Sequence, residues 1–287
     1  MPGSHPLSAR RIDLHTHSTA SDGTTPPADL VLEARAAGLD VVALTDHDTT
    51  GGWAAAADAL PDGLRLVRGA EISCVAGDIS LHLLAYLFDP AEPDFAAARA
   101  QLRDSRVGRA EQMARLLEAD GTGVTWEQVQ RIAQGTVGRP HVAQALIAQG
   151  HVATVSEAFT DEWIGTGGRY FVDKTELEVL EAVRLVVAAG GVAVFAHPDA
   201  HQRGPTVSDD VIAAMAAAGL AGLEVDHVDH DAAARAHLRG LAAELDLLMT
   251  GSSDFHGTAK TVRLGEHTTG EAAYERIVAA ATGVPVL

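Results

Sequence analysis

The strongest constraint on this chain is an alternation. Short apolar runs rich in leucine and β-branched residues, at 11–14, 40–44, 64–67, 79–88, 191–195, 220–225 and 245–250, take turns with alanine-rich amphipathic stretches at 27–37, 52–59, 177–189, 208–218, 232–244 and 271–281. Brief apolar runs suit strands buried on both faces, and the longer periodic stretches suit helices packed over them. The alternation predicts an α/β fold with a mainly parallel sheet. Local punctuation agrees: Ser208, Asp209 and Asp210 suit a helix start, and Gly190 and Gly219 suit helix ends. Between about 95 and 165 the pattern reads as helix only, at 95–119, 126–134, 139–148 and 156–163, with glycine-containing joints and GTGGRYF (165–171) as the return hinge.

Composition excludes several classes. At 287 residues and 47% hydrophobic content the chain can bury a large core, and Cys74, its one cysteine, cannot pair within the chain. No apolar run approaches the ~20 residues needed to span a bilayer, and residues 1–15 lack the apolar core of a signal peptide, so a cytoplasmic location is expected. The formal net charge of −18 argues against tight, sequence-independent binding of long nucleic acid, and 4% aromatics argue against base-stacking platforms. A small anionic substrate would need a local source of positive charge.

That source is suggested by where histidine and carboxylate residues fall. His15 and His17 follow the first run, His47 the second, Glu71 the third, His197 the fifth, and Asp254 and His256 the seventh; His82 lies inside the fourth. Loops after parallel strands gather at one face of a sheet or barrel, so these residues are expected to converge. His15/His17 and Asp254/His256 each stand two apart, which puts both side chains of an extended pair on one face. A lone histidine such as His82 in an apolar strand is more often a core residue; two such pairs with DLHTH, TDHD, GAE, AHPD and SDFH in one chain are a metal-site pattern. The candidate ligands are His15, His17, Asp22, His47, Glu71, His82, His197, Asp254 and His256. All are imidazole or carboxylate, which suits Zn²⁺, Mn²⁺ or Fe²⁺ and not a thiolate-type structural zinc. They are too many for one ion; two or three divalent ions fit, with Glu71 able to bridge. Such a cluster lowers the pKa of a bound water and clamps the attacking and leaving oxygens in phosphate-ester hydrolysis.

The segment IDLHTHSTASDGTTPPADLVLEARAAGLDVVALTDHDTTGG, followed in order by GAEIS, LHLLAY, FAHPD and GSSDFHG, resembles the PHP (polymerase and histidinol phosphatase) superfamily over nearly the whole chain. The resemblance implies a distorted (β/α)₇ barrel, here over 9–95 and 165–287, with 96–164 as a helical insertion that binds substrate. It also implies a trinuclear site. One ion would take His15, His17, Glu71 and Asp254; a second Asp22, His47 and His256; a third Glu71, His82 and His197. Asp22 stands where some members have histidine.

Specificity is expected from the insertion. GRPH at 138–141 offers the planar fork of Arg139 and a ring donor from His141 at a helix start. Arg203, just after AHPD, is a second candidate phosphate contact; Arg109, Arg169 and Lys174 are weaker ones. An insertion with an Arg-x-His element is similar to that of stand-alone members acting on nucleotides, the 3′,5′-nucleoside bisphosphate phosphatases and 5′→3′ exoribonucleases of short RNA. The expected partner is thus a small phosphorylated substrate, a nucleotide or short oligonucleotide, with no membrane. Histidinol-phosphate phosphatase and a non-catalytic PHP module are the alternatives. VDHVDHD at 225–231, the densest His/Asp cluster, is read as a solvated loop or as support around the site. Asp46 and Asp48 are read as orienting imidazole or capping a helix, not as ligands.

Overall fold

The structure, a computed structural model, describes residues 9–287. It contains β1 (Ile12–Asp13), α1 (Pro27–Ala36), β2 (Val41–Leu44), α2 (Trp53–Asp58), β3 (Arg65–Ala76) and β4 (Ile79–Tyr86). Four helices follow: α3 (Pro93–Ala119), α4 (Trp126–Ile132), α5 (Arg139–Ala148) and α6 (Val155–Ala158). The alternation then resumes with β5 (Leu177–Glu178), α7 (Val179–Ala188), β6 (Val192–Phe195), α8 (Asp209–Ala218), β7 (Gly222–Asp226), α9 (Ala232–Glu244), β8 (Leu248–Gly251) and α10 (Glu271–Ala280).

The sheet runs β1-β2-β3-β4-β6-β7-β8, and β5 pairs with β3 off that path. A parallel bridge between Thr16 and Phe255, with the His17 N–H donating to the Phe255 carbonyl at 2.8 Å, joins the two ends of the path into a nearly closed barrel. Most neighbours are parallel, but β4 runs antiparallel to both β3 and β6. The β3–β4 hairpin explains one difference from the sequence reading. Glu71 was expected after a strand ending near 67; it lies in the middle of β3, which runs on to Ala76 because β4 pairs with it from Gly69 to Ala76.

Strand residues alternate between two cores. Val41, Ala43, Val192 and Val194 belong to the one floored by Tyr274 and Ile277 of α10, whereas Val42, Leu44, Ala193 and Phe195 pack against the surrounding helices. This two-sided burial is why β2 and β6 read as unbroken apolar runs.

The helical segment has a third core, including Met113, Leu117, Val142, Leu146 and Tyr170, each large side chain contributing roughly 1.5–3 kcal/mol by burial. The change of core falls inside α3: Phe95 and Leu102 pack on the barrel, and Ala110 to Leu117 pack in the helical unit. The helix expected at 156–163 is confined to α6, because the chain leaves helical geometry at Phe159 and turns. Gly165 and Gly168 follow in this turn, where a Cβ would strike the Phe159 and Trp163 carbonyls. The loop before α5 lies directly on the barrel. Thr136 N–H donates to the Ala20 carbonyl at 3.0 Å, and a Cβ at Gly135 would collide with the carbonyls of Thr19 and Ala20. No helix among the described residues is long and apolar enough to cross a membrane.

Candidate metal centre

All nine residues named from the sequence meet at one mouth of the barrel. Eight are buried, and His82 keeps 25% of its side chain exposed. Glu71 is the hub. Its Oε1 lies 2.9 Å from His82 Nδ1 and 3.0 Å from His197 Nε2; its Oε2 lies 3.3 Å from His15 Nε2, 3.0 Å from His17 Nε2 and 3.3 Å from His47 Nδ1. Asp22 faces the other sides of His17 and His47, at 3.5 Å each, and His256 Nε2 at 3.5 Å. Asp254 Oδ1 stands 3.4 Å from His15 Nε2 and 3.5 Å from His17 Nε2.

The donor sets close enough to share an ion are His17, Asp22, His47 and His256; His15, His17 and Glu71; and His47, Glu71 and His82. His17 and His47 therefore each join two sets, one ring nitrogen toward Asp22 and the other toward Glu71.

Whether these residues suit metal ions follows from their unmet hydrogen bonding. The buried Nδ1 atoms of His47 and His82 approach Glu71 but have no hydrogen-bond partner. His15 Nε2 and His17 Nε2 point at each other across 3.1 Å, while the Nδ1–H of His15 donates to Glu224 Oε1 at 3.1 Å. That outer bond leaves the His15 Nε2 lone pair facing inward, the arrangement of a ligating imidazole. His256 is set the same way, its Nδ1–H donating to the Asp254 carbonyl at 2.8 Å. Burial, aided by the charge of Arg203 on His197 and of Lys260 on His256, lowers both rings to about 3, so their lone pairs are free at neutral pH. His15 is the opposite case: burial opposes its proton, but Glu224, Glu71 and Asp254 hold it well above the usual range. Converging carboxylates and inward lone pairs fit divalent cations.

The supporting residues explain the loop shapes. Glu224, which sequence reasoning missed, accepts from His15 and, at 2.9 Å through Oε2, from the His197 N–H. Its only signal was a carboxylate inside an otherwise apolar strand. Asp46 accepts from Ser18 N, Ser18 Oγ and Ser21 Oγ and so fixes the loop carrying Asp22. Asp48 holds Ser73 and takes Arg106 of α3 in a buried ion pair at 3.0 Å. Among the described residues neither hydrogen-bonds an imidazole; each anchors a segment. His197 and Asp254 sit at φ +34° and +54°, left-handed backbone that costs non-glycine residues on the order of 1–3 kcal/mol and is held by the surrounding contacts.

The 225–231 cluster is buried at its histidines, not solvated. His227 Nδ1 accepts from the Asp229 N–H at 3.0 Å, which places its remaining proton on Nε2, 3.4 Å from Asp254 Oδ2. His230 donates from Nδ1 to the Val225 carbonyl at 2.9 Å and accepts from the Asp199 N–H at 3.2 Å. Both rings are thus occupied in bracing loops around the cluster.

The candidate substrate contacts separate. Arg203 has both edges engaged, Nε with Asp229 at 2.6 Å and Nη2 with Asp254 at 2.7 Å. His141 is buried and uses Nδ1 to accept the Gly138 N–H at 3.0 Å at the start of α5. Arg139 lies 4.8 Å over the Phe159 ring, with no carboxylate partner among the described residues. Arg109 is 5% exposed, has no ion pair among the described residues, and leaves Nε without a hydrogen bond. Burial, then the like charges of Arg139 and Arg106, push it down to about 8; burial, then Arg106, lowers Arg139 to about 10 and Lys174 to about 8. Arg169 is exposed and tied to Asp120.

The PHP domain family matches residues 13–134. A 3′,5′-nucleoside bisphosphate phosphatase of Chromobacterium violaceum is 34% identical over 260 residues, 90% of this chain and 91% of that protein. The chain belongs to the PHP domain family. A 5′-3′ exoribonuclease of Haemophilus influenzae is 32% identical over 259 residues, 90% of this chain and 94% of that protein. A Bifidobacterium adolescentis crystal structure, described as a metal-dependent phosphoesterase by assignment, superposes with a TM-score of 0.89 at 37% identity, covering 97% of this chain and 98% of its own. The PHP barrel here carries the donor set of a metal-dependent phosphoric ester hydrolase.

Proposed function

We propose that this PHP protein hydrolyses a phosphate ester of a nucleotide that carries a second phosphate, as in a nucleoside 3′,5′-bisphosphate or the 5′-phosphorylated end of a short RNA. The observation that carries the reading is the group of cations under the insertion. Arg109 is buried and Arg139 half-buried, neither with an ion-pair partner among the described residues, and Glu176, paired with Lys174 at 3.0 Å, is the nearby carboxylate whose charge reaches both. Burying a charge without a partner is costly, so a cluster with more cations than carboxylates favours an added anion. A phosphate matches the planar donor fork of a guanidinium. The names of the two curated relatives point to the same substrate class.

The division of labour follows from position. His15, His17, Asp22, His47, Glu71, His82, His197, Asp254 and His256 would hold two or three divalent ions of the manganese, iron or zinc type. When bound, those ions supply the positive charge that activates water and stabilises charge on the reacting phosphoryl group. Glu224 fixes the ring of His15 and the backbone of His197. Arg109 and Arg139 hold the remote phosphate, and His141, at the start of the same helix as Arg139, feels the charge of Asp22 in the metal cluster. The net reaction splits the ester with one water into an alcohol and a phosphate. Residues 96–164, with Lys174 beyond them, act as the unit that selects substrate.

Adenosine 3′,5′-bisphosphate, a short 5′-phosphorylated RNA, histidinol phosphate and p-nitrophenyl phosphate, assayed side by side with the metal-loaded protein, test the proposal. A kcat/KM for one of the first two at least about a hundredfold above histidinol phosphate is expected. Preference for histidinol phosphate would overturn it.

A further inference from the structure

Asp254 is held asymmetrically. Oδ1 faces the imidazoles of His15, His17 and His256, whereas Oδ2 takes three donors from three different loops: Lys260 Nζ at 2.6 Å, Arg203 Nη2 at 2.7 Å and His227 Nε2 at 3.4 Å. One carboxylate oxygen has about two lone-pair directions, so three donors exceed what it can bind well. The three differ in what else they can do. His227 is fully buried, with its other nitrogen engaged by the Asp229 N–H. Arg203 is locked across to Asp229. Lys260 has Asp254 as its single partner among the described residues, keeps a third of its side chain exposed, and sits after the short turn Gly257–Ala259. An ammonium has three N–H donors, so two of Lys260's remain unspent.

We propose that Lys260 is a catalytic contact to the reacting phosphoryl group, its ammonium held by Asp254 at the rim of the cluster and donating to a non-bridging phosphate oxygen. Arg203 and His227 act through Asp254 as positioning residues. This assignment rests on phosphate-ester hydrolysis at the cluster and is independent of which nucleotide is the substrate. A lysine suits the role because its charge sits on a flexible stem and can follow the phosphoryl oxygens as the ester bond lengthens, while Arg203 cannot move without breaking two carboxylate bonds.

The test uses inorganic phosphate as the probe on Mn²⁺-loaded full-length protein, with binding measured by calorimetry and metal content by elemental analysis. Lys260→Ala should weaken phosphate binding by about tenfold or more, the scale of one lost charge-assisted hydrogen bond, with metal content unchanged. Lys260→Met, which keeps the apolar stem, should behave the same, and Lys260→Arg should recover most of the loss. Arg203→Ala should instead lower metal retention, because it loosens Asp254. Unchanged phosphate affinity in Lys260→Ala, or metal loss in it comparable with Asp254→Asn, would overturn the assignment. Wild-type protein that retains metal but binds no phosphate would overturn both it and the phosphoesterase reading. Normal phosphate behaviour with no nucleotide turnover would remove only the nucleotide reading.

Discussion

The barrel mouth and the underside of the insertion carry opposite kinds of unfinished charge. At the mouth, acceptors crowd together: three carboxylates and six imidazoles meet with ring nitrogens aimed at one another or at carboxylate oxygens. Under the insertion, donors crowd together: Arg109 and Arg139 make no ion pair among the described residues, and Glu176, which pairs with Lys174, is the carboxylate whose charge reaches both. Either cluster alone would be a liability in a folded chain. Their contrast teaches which ligand each lacks, cations at the first and an anion at the second. The two are joined by buried structure, since Arg106 of α3 pairs with Asp48 and the 135–138 loop rests on the loop that carries Asp22.

The largest effect should come from breaking the mouth. Glu71 touches five imidazoles through its two oxygens, so Glu71→Ala removes the one group common to most of the cluster. The expected loss is at least ~10³-fold in kcat on every substrate, with metal content reduced in elemental analysis; chelation of the wild type should abolish turnover, and Mn²⁺ should restore it. Full activity in demonstrably metal-free protein would mean that the mouth is not a metal centre.

Breaking the cation pocket should act selectively. Arg139→Ala should lower kcat/KM by roughly 10²-fold, or ~2–3 kcal/mol, on a substrate with two phosphates, and leave p-nitrophenyl phosphate nearly unchanged. Arg109→Met should show the same selectivity and, because it removes an unpaired buried charge, should not lower the melting temperature. Arg139→Lys should rescue only part of the loss, since an ammonium lacks the planar fork. Equal loss on both substrates would place these residues in the chemistry instead.

The two regions also differ in how far the sequence reveals them. The mouth is legible because barrel topology brings strand ends together, so residues at fixed offsets such as His15/His17 and Asp254/His256 announce their convergence. The pocket is assembled from the faces of α3 and α5 and from the segment before β5, and no short spacing encodes that meeting. Arg139 and Arg109 are visible as basic residues, but their lack of acid partners is a fact of packing. Glu224 and Lys260 escape for related reasons, one hidden as a polar residue in an apolar strand and the other in a loop with no motif. The short β5 has too few residues to leave a periodic signal, and the extent of β3 depends on pairing with β4. Arg203, adjacent to AHPD, looked free for phosphate because the position of Asp229 could not be read.

The smallest effect should come from His230, and it separates a dense motif from a functional one. By residue type alone, His230 is as good a ligand as His17. In the structure it joins none of the donor sets, and both ring nitrogens are spent on the backbone, Nδ1–H to the Val225 carbonyl and Nε2 to the Asp199 N–H. These bonds tie the loop after β7 to the loop after β6. His230→Ala should therefore cost stability, about 1–3 kcal/mol for the buried backbone groups left unpaired, and should lower kcat less than about tenfold with metal content intact. His230→Gln, which can replace one of the two bonds, should recover part of the stability. Thermal unfolding and steady-state kinetics on the same preparations read the two consequences separately. A loss of activity as large as that of His17→Ala would mean that the 225–231 loop belongs to the metal centre itself, and the boundary drawn here between ligands and braces would have to move outward to include it.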